Sequence, residues 1–132
     1  MSARGRSQRA SRRFRLGAAN PPQELEPMRF VAYDLSLEII RQLRPTIARI
    51  RRHSRTMTNQ ITDALSSVAQ NVAEGSGRSG GDRLHHYRIA LGSHREVCSC
   101  LEIAVAFGWL DEAPLAAERD RLGGLLFGLQ RG

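Results

Sequence analysis

From Phe30 onward apolar residues return at the spacing of an amphipathic helix: Val31, Leu35, Ile39 and Leu43, with Ile40, Ile47 and Ile50 widening the stripe. The pattern predicts a first helix over about 31–53. Pro45 falls inside it and supplies no backbone N–H, so one continuous helix with a kink near Arg41 is expected. Ser54 suits the N-cap of a second helix, whose buried face is Met57, Ile61, Leu65, Val68 and Val72. Ala64 and Ala69 let a neighbour come close, and the helix is expected to stop near Gly75.

A third helix is predicted from around Ser79 to Asp82 through Leu84, Tyr87, Leu91, Val97, Cys98, Leu101, Ala104 and Val105 to Gly108. Its stripe is broad enough to be covered from two sides. Asp111 is the expected cap of a fourth helix, with Pro114 in its first turn and Leu115, Leu122, Leu125, Leu126 and Leu129 facing inward. Gly123 and Gly124 weaken that helix by about 1 kcal/mol each relative to alanine. No alternating strand pattern appears. The class is therefore all-α, and the short links predict an antiparallel up-and-down four-helix bundle over 30–132.

The 132 residues suffice for one such domain. Charge is unevenly spread: residues 1–29 hold seven arginines and two glutamates (+5), and residues 30–132 hold thirteen arginines and eleven acids (+2). There is no lysine, so arginine is the default cation and its individual placements mean less than usual. Residues 1–29 lack apolar periodicity and are expected to be a disordered arginine-rich tail closed by the linker AANPPQELEP. In composition the opening fits a transit peptide, a basic nucleic-acid arm, or a stretch ahead of a start at Met28. No apolar run is long enough for a signal or membrane segment, so a soluble cytoplasmic protein is expected.

Chemistry-bearing residues are few. The glycine-rich stretch SSVAQNVAEGSGRSGG is no P-loop, since it follows a helix and offers no lysine to a phosphate. Backbone donors at the start of the third helix, with Arg78 and Arg83, form a weaker candidate anion site; ordinary helix caps are the simpler reading. Asn71 and Glu74 share a helix face that Ser67, Ser93 and Glu96 can approach, and a polar network fixing helix register explains them better than acid/base catalysis. His94, Cys98 and Glu102 form an i, i+4, i+8 row, but the sequence lacks the rest of a metal site, and Cys98 and Cys100 point to nearly opposite sides of one helix. No metal, cofactor or catalytic residue is expected.

The densest basic run, RPTIARIRRHSR, sets Arg44, Arg49, Arg51, Arg52, His53 and Arg55 at the end of the first helix and its turn. Such a cluster is either a phosphate-contacting surface or a solvated face. Aromatics are few and the basic region is expected to lack exposed stacking residues, so recognition of backbone or shape is expected over base reading. Ile40 and Ile47, with Phe107 and Trp109, add more apolar surface than one small bundle hides, which predicts self-association.

SSVAQNVAEGSGR followed by YRIALGSHREV resembles the signature of the bacterial four-helix-bundle family named for 23S ribosomal RNA intervening sequences. Ser67, Asn71, Ala73, Glu74, Gly75 and Arg78 fall on its first motif, and Tyr87, Ala90, Gly92, Ser93 and Glu96 on its second. The resemblance implies a homopentamer without enzymatic activity. It also implies kinship with the accessory protein of diversity-generating retroelements, a basic pentamer that partners a reverse transcriptase and structured RNA. The expectation is a non-enzymatic ring that binds RNA through arginine surfaces, with a protein-interaction scaffold as the alternative.

Overall fold

The computed structural model describes residues 25–132, which form four helices: α1 (Leu25–Arg51), α2 (Arg55–Ser76), α3 (Gly80–Ala106) and α4 (Ala116–Arg131). Each packs on the next, and α4 closes on α1. This is the up-and-down four-helix bundle that the apolar periodicity predicts. No described helix is long and apolar enough to cross a membrane. Of the tail expected over 1–29, residues 1–24 lie outside the described residues.

α1 begins six residues before the expected start because its first turns are tied down. Met28 packs against the core, and Arg29 donates to the Ser76 carbonyl at the end of α2 (3.1 Å). Its inward row is Ala32, Ser36, Ile39, Leu43 and Ile50, so Val31 and Leu35 sit half-buried at the edge of the face they were expected to lead. Ser36 tolerates burial by donating its hydroxyl to the Tyr33 carbonyl (2.7 Å). The helix runs unbroken through Pro45. Pro45 and Arg41 are both exposed, so water can serve the carbonyl that proline leaves without a donor.

Ser54 caps α2 as expected, in extended conformation, its hydroxyl accepting from the Met57 N–H (3.0 Å). The α2–α3 interface is close because small residues line it, and Gly75 lets the Tyr87 ring lie against the α2 backbone. At the far end of α3 a Schellman turn closes the helix: Gly108 N–H donates to Val105 and Trp109 N–H to Ala104, each at 2.9 Å, with Gly108 at φ +79°.

The start of α4 differs from expectation. Asp111 is exposed and caps nothing; the helix begins at Ala116, preceded by Leu115 in the left-handed region (φ 60°, ψ 40°). The buried side chain of Arg119 holds this loop, donating Nε to the Pro114 carbonyl (2.8 Å) and Nη2 to the Ala113 carbonyl (3.5 Å). Those bonds offset the roughly 1–2 kcal/mol that a left-handed leucine costs. Two α4 glycines mark close approaches: a Cβ on Gly128 would sit 2.5 Å from Met28 Cε, and one on Gly123 would sit 3.4 Å from His94 Nε2.

Candidate nucleic-acid interface

The topology gives the bundle two unlike ends. The α1–α2 and α3–α4 connections share one end, and the α2–α3 turn occupies the other. Arg44, Arg49, Arg51, Arg52 and Arg55 all lie exposed at or near the first end, because the last two turns of α1 and the first residue of α2 carry them. Among the described residues only Arg49 has a carboxylate in reach, Asp111 at 3.9 Å on the opposite connection. Two exposed side chains at that distance attract weakly. Below the cluster, Ile40, Ile47 and Ala48 floor an open groove of about 570 Å³ between α1 and α2, with Arg44, Arg51 and Arg52 around it.

Rings at this end stack on one another, which sequence reasoning did not foresee. Gly108 folds the chain back, so Phe107 and Trp109 stack with centroids 4.6 Å apart and planes 9° from parallel. His53, from the basic turn, stacks on Trp109 at 5.7 Å and 7°. The expectation that the basic region lacks stacking residues is therefore overturned. The signal was the sequence Phe-Gly-Trp at a helix end, where a Schellman glycine brings its neighbours together.

At the other end one arginine is held by acids. Arg78 donates to Asp82 and to Glu74, each at 2.9 Å, and the two carboxylates, Asp82 foremost, raise its already high pKa. Arg83 donates Nε to the Arg78 carbonyl (2.7 Å). Ser79 precedes α3 without a side-chain capping bond. Arg29, at the Ser76 carbonyl, and Arg131, in the last turn of α4, lie at this end too, so what distinguishes it from the first is that Arg78 is held by two carboxylates.

The family-motif residues do different work. Ser67, Asn71 and Ser93 form a chain of hydrogen bonds between α2 and α3: Ser93 Oγ to Ser67 Oγ at 2.7 Å, Asn71 Nδ2 to Ser67 Oγ at 3.1 Å and to the Ser67 carbonyl at 2.9 Å. His86 completes it, its Nδ1 2.9 Å from Asn71 Oδ1; because that oxygen only accepts, Nδ1 carries the proton. His86 was missed, since no spacing rule links it to Asn71. Glu74 and Glu96 stand outside the network, both exposed, contrary to the expected polar pair. The register also separates them, with Glu74 beyond Asn71 toward the α2–α3 turn and Glu96 beyond Ser93 in the other direction.

Gly75 and Tyr87 pack against each other. Tyr87 is only 1 % exposed, and its hydroxyl has no hydrogen bond of good geometry. Burial pushes its pKa up, while the nearby Arg29 guanidinium, and more weakly Arg83, oppose the rise. Gly92 stands alone: it is exposed, and a Cβ there would meet nothing within 4 Å.

The His94, Cys98 and Glu102 row does not converge. His94 is buried and points Nε2 at the Arg119 carbonyl (2.9 Å), which requires the proton on Nε2. Cys98 Sγ lies 3.7 Å from that nitrogen, and Glu102 faces solvent. Burial lowers the His94 pKa, with the Arg119 carbonyl opposing. Cys100, also buried, has its thiol pushed up by desolvation and then by Glu96. Among the described residues no three histidine, cysteine or acidic side chains gather as metal ligands.

Comparison with curated proteins and with solved structures returns no match in either. The model of one protein family does match, over residues 28–126, a span that contains α2 and α3, most of α1 and the first eleven residues of α4, with the Ser67–Asn71–Ser93 network and the Gly75–Tyr87 contact. By that match the chain belongs to the family of 23S rRNA-intervening sequence proteins.

Proposed function

We propose that this protein is a non-enzymatic RNA-binding protein whose arginine-bearing end holds the phosphates of a structured RNA. The observation that carries this reading is how the arginines are held: of the five exposed at one end only Arg49 has a carboxylate within 4 Å among the described residues, whereas Arg78 at the other is held by two acids. A fixed cluster of cations attracts phosphates in proportion to the counterions it releases. Filter binding of a folded RNA to the parent chain and to one carrying Arg49→Gln, Arg51→Gln, Arg52→Gln and Arg55→Gln tests it. Equal affinity of the two would end the reading.

Assembly into a ring belongs to the same proposal, with five subunits taken from the family resemblance. Ile89 and Ile103 lie two heptads apart on the outer face of α3 and remain exposed, as does Phe127 on α4. Gly92 sits between the isoleucines with open space above it, costing helix stability for no packing gain within the chain. A helix of a second copy laid along that face would use the gap. Repetition of the arginine end around a ring would multiply its charge. Kinship with the retroelement accessory protein makes a reverse transcriptase the candidate protein partner. The same apolar face supports the rival reading, a protein scaffold whose arginines only maintain solubility.

A further inference from the structure

Phe107 is 65 % exposed, more than any other large apolar side chain of the described residues. It does not hang loose. The Schellman turn at Gly108 fixes the backbone on one side, and the Trp109 ring, itself packed against the core, holds the phenyl in a parallel stack. His53 stacks on the same indole from the α1–α2 turn. Flat, ordered rings are thus presented to solvent, and the residues directly before His53 are Arg51 and Arg52.

We propose that this stack is a platform for an unpaired RNA base, which lies on Phe107 while Arg51, Arg52 and Arg55 take the adjoining phosphates. The inference rests on the reading of this end as an RNA surface and adds what that surface distinguishes: single strands and loops over continuous duplex. Three physical points favour a base over an apolar protein segment. The rings are close to parallel, which continues naturally into another flat π-face. Arg51 and Arg52, next in sequence to the His53 that stacks on Trp109, match a polyanion. Every base has a π-face whereas paired bases offer theirs only at helix ends, so a stacking platform beside arginines selects unpaired nucleotides without reading sequence.

The test uses the full chain, a short oligoadenylate and an RNA duplex of the same length. Trp109 is the only tryptophan, so its fluorescence reports on the stack directly. The single strand should change Trp109 emission on binding, and the duplex should not. Phe107→Ala should weaken oligoadenylate binding roughly five- to hundredfold, the loss typical of one base–aromatic stack, and leave duplex binding unchanged. Phe107→Leu should behave like Phe107→Ala, and Phe107→Tyr like the parent. Parent-like affinity of Phe107→Ala for the single strand would overturn the platform while leaving the phosphate surface standing, provided duplex binding stays salt-dependent. Parent-like affinity of Phe107→Leu would make the ring a merely apolar contact and overturn it too. A parent chain that binds neither RNA would remove the arginine-surface reading and this inference together.

Discussion

Gly75 of α2 lies so close to the Tyr87 ring of α3 that a Cβ on it would sit 2.5 Å from Cε1 and 2.9 Å from Cδ1. The ring cannot retreat, being buried in the core. Gly75→Ala gains up to about 1 kcal/mol of helix propensity but incurs overpacking of about 1–3 kcal/mol, so a net loss of as much as 2 kcal/mol is expected. In a Tyr87→Leu background the clash is gone, and the same substitution should become neutral or stabilising. Urea denaturation of the four chains measures the coupling, and a loss of equal size in both backgrounds would contradict the packing account.

The polar network predicts unequal costs for two residues of one motif. Asn71→Ala strands Ser67 and His86 and should lower stability by about 1–2 kcal/mol. Glu74→Ala removes only an exposed i, i+4 ion pair with Arg78 and should cost less than about 0.5 kcal/mol. Equal denaturation midpoints for the two variants would show that the network does not hold α2 to α3.

His94 gives the fold a pH dependence whose sign follows from its surroundings. Burial, with Arg119 and Arg95 nearby, disfavours the imidazolium; the Arg119 carbonyl and Asp120 oppose this and are outweighed. The folded chain therefore binds this proton less readily than the unfolded chain, so the His94 contribution is fully present above the ordinary value of 6.5 and is lost as pH falls below it. His94→Gln, whose amide can still donate to the Arg119 carbonyl, should flatten the fall in denaturation midpoint between about pH 7 and pH 5.5. A variant that retained the parent's slope would assign the proton elsewhere.

What the sequence discloses here depends on how local the cause is. The Ser54 cap, the stop of α2 near Gly75 and the inward row of α2 follow from periodicity and capping chemistry within a few residues, whereas on α3 the structure buries His94 and Cys100 and leaves the expected Leu84, Cys98 and Val105 half-buried. The early start of α1 depends on Arg29 reaching the end of α2, a contact across 47 residues that no local pattern encodes. Asp111 had the right chemistry for a cap, yet Arg119 folded back on the Ala113 and Pro114 carbonyls and left the aspartate in water. At the candidate site the arginine cluster was legible as a run in the sequence. Its aromatic neighbours were not, because Trp109 and His53 are 56 residues apart and meet only once the bundle brings both connections to one end.

Assembly makes a prediction at the outer face of α3. Ile89→Arg with Ile103→Arg places two charges at side chains more than a third exposed and outside the buried core cluster, so helicity and the denaturation midpoint at low concentration should change little. Light scattering at micromolar concentration should show a ring for the parent and a monomer for the variant. A parent that scatters as a monomer would end the ring.

The most direct test of the central claim is the salt dependence of RNA affinity with and without the arginine end. Each phosphate contact contributes about 0.7–0.9 to the slope of log affinity against log salt, so neutralising Arg49, Arg51, Arg52 and Arg55 should reduce its magnitude by about 3 for each engaged subunit. The comparison is repeated in chains lacking residues 1–24, whose own arginines add non-specific attraction. Deletion should lower affinity at low salt and preserve preference for a folded RNA, and neutralising the four arginines should abolish that preference in either chain. An unchanged slope after neutralisation, with all affinity lost on deletion, would contradict it: the bundle would then be a scaffold that carries an RNA-binding tail.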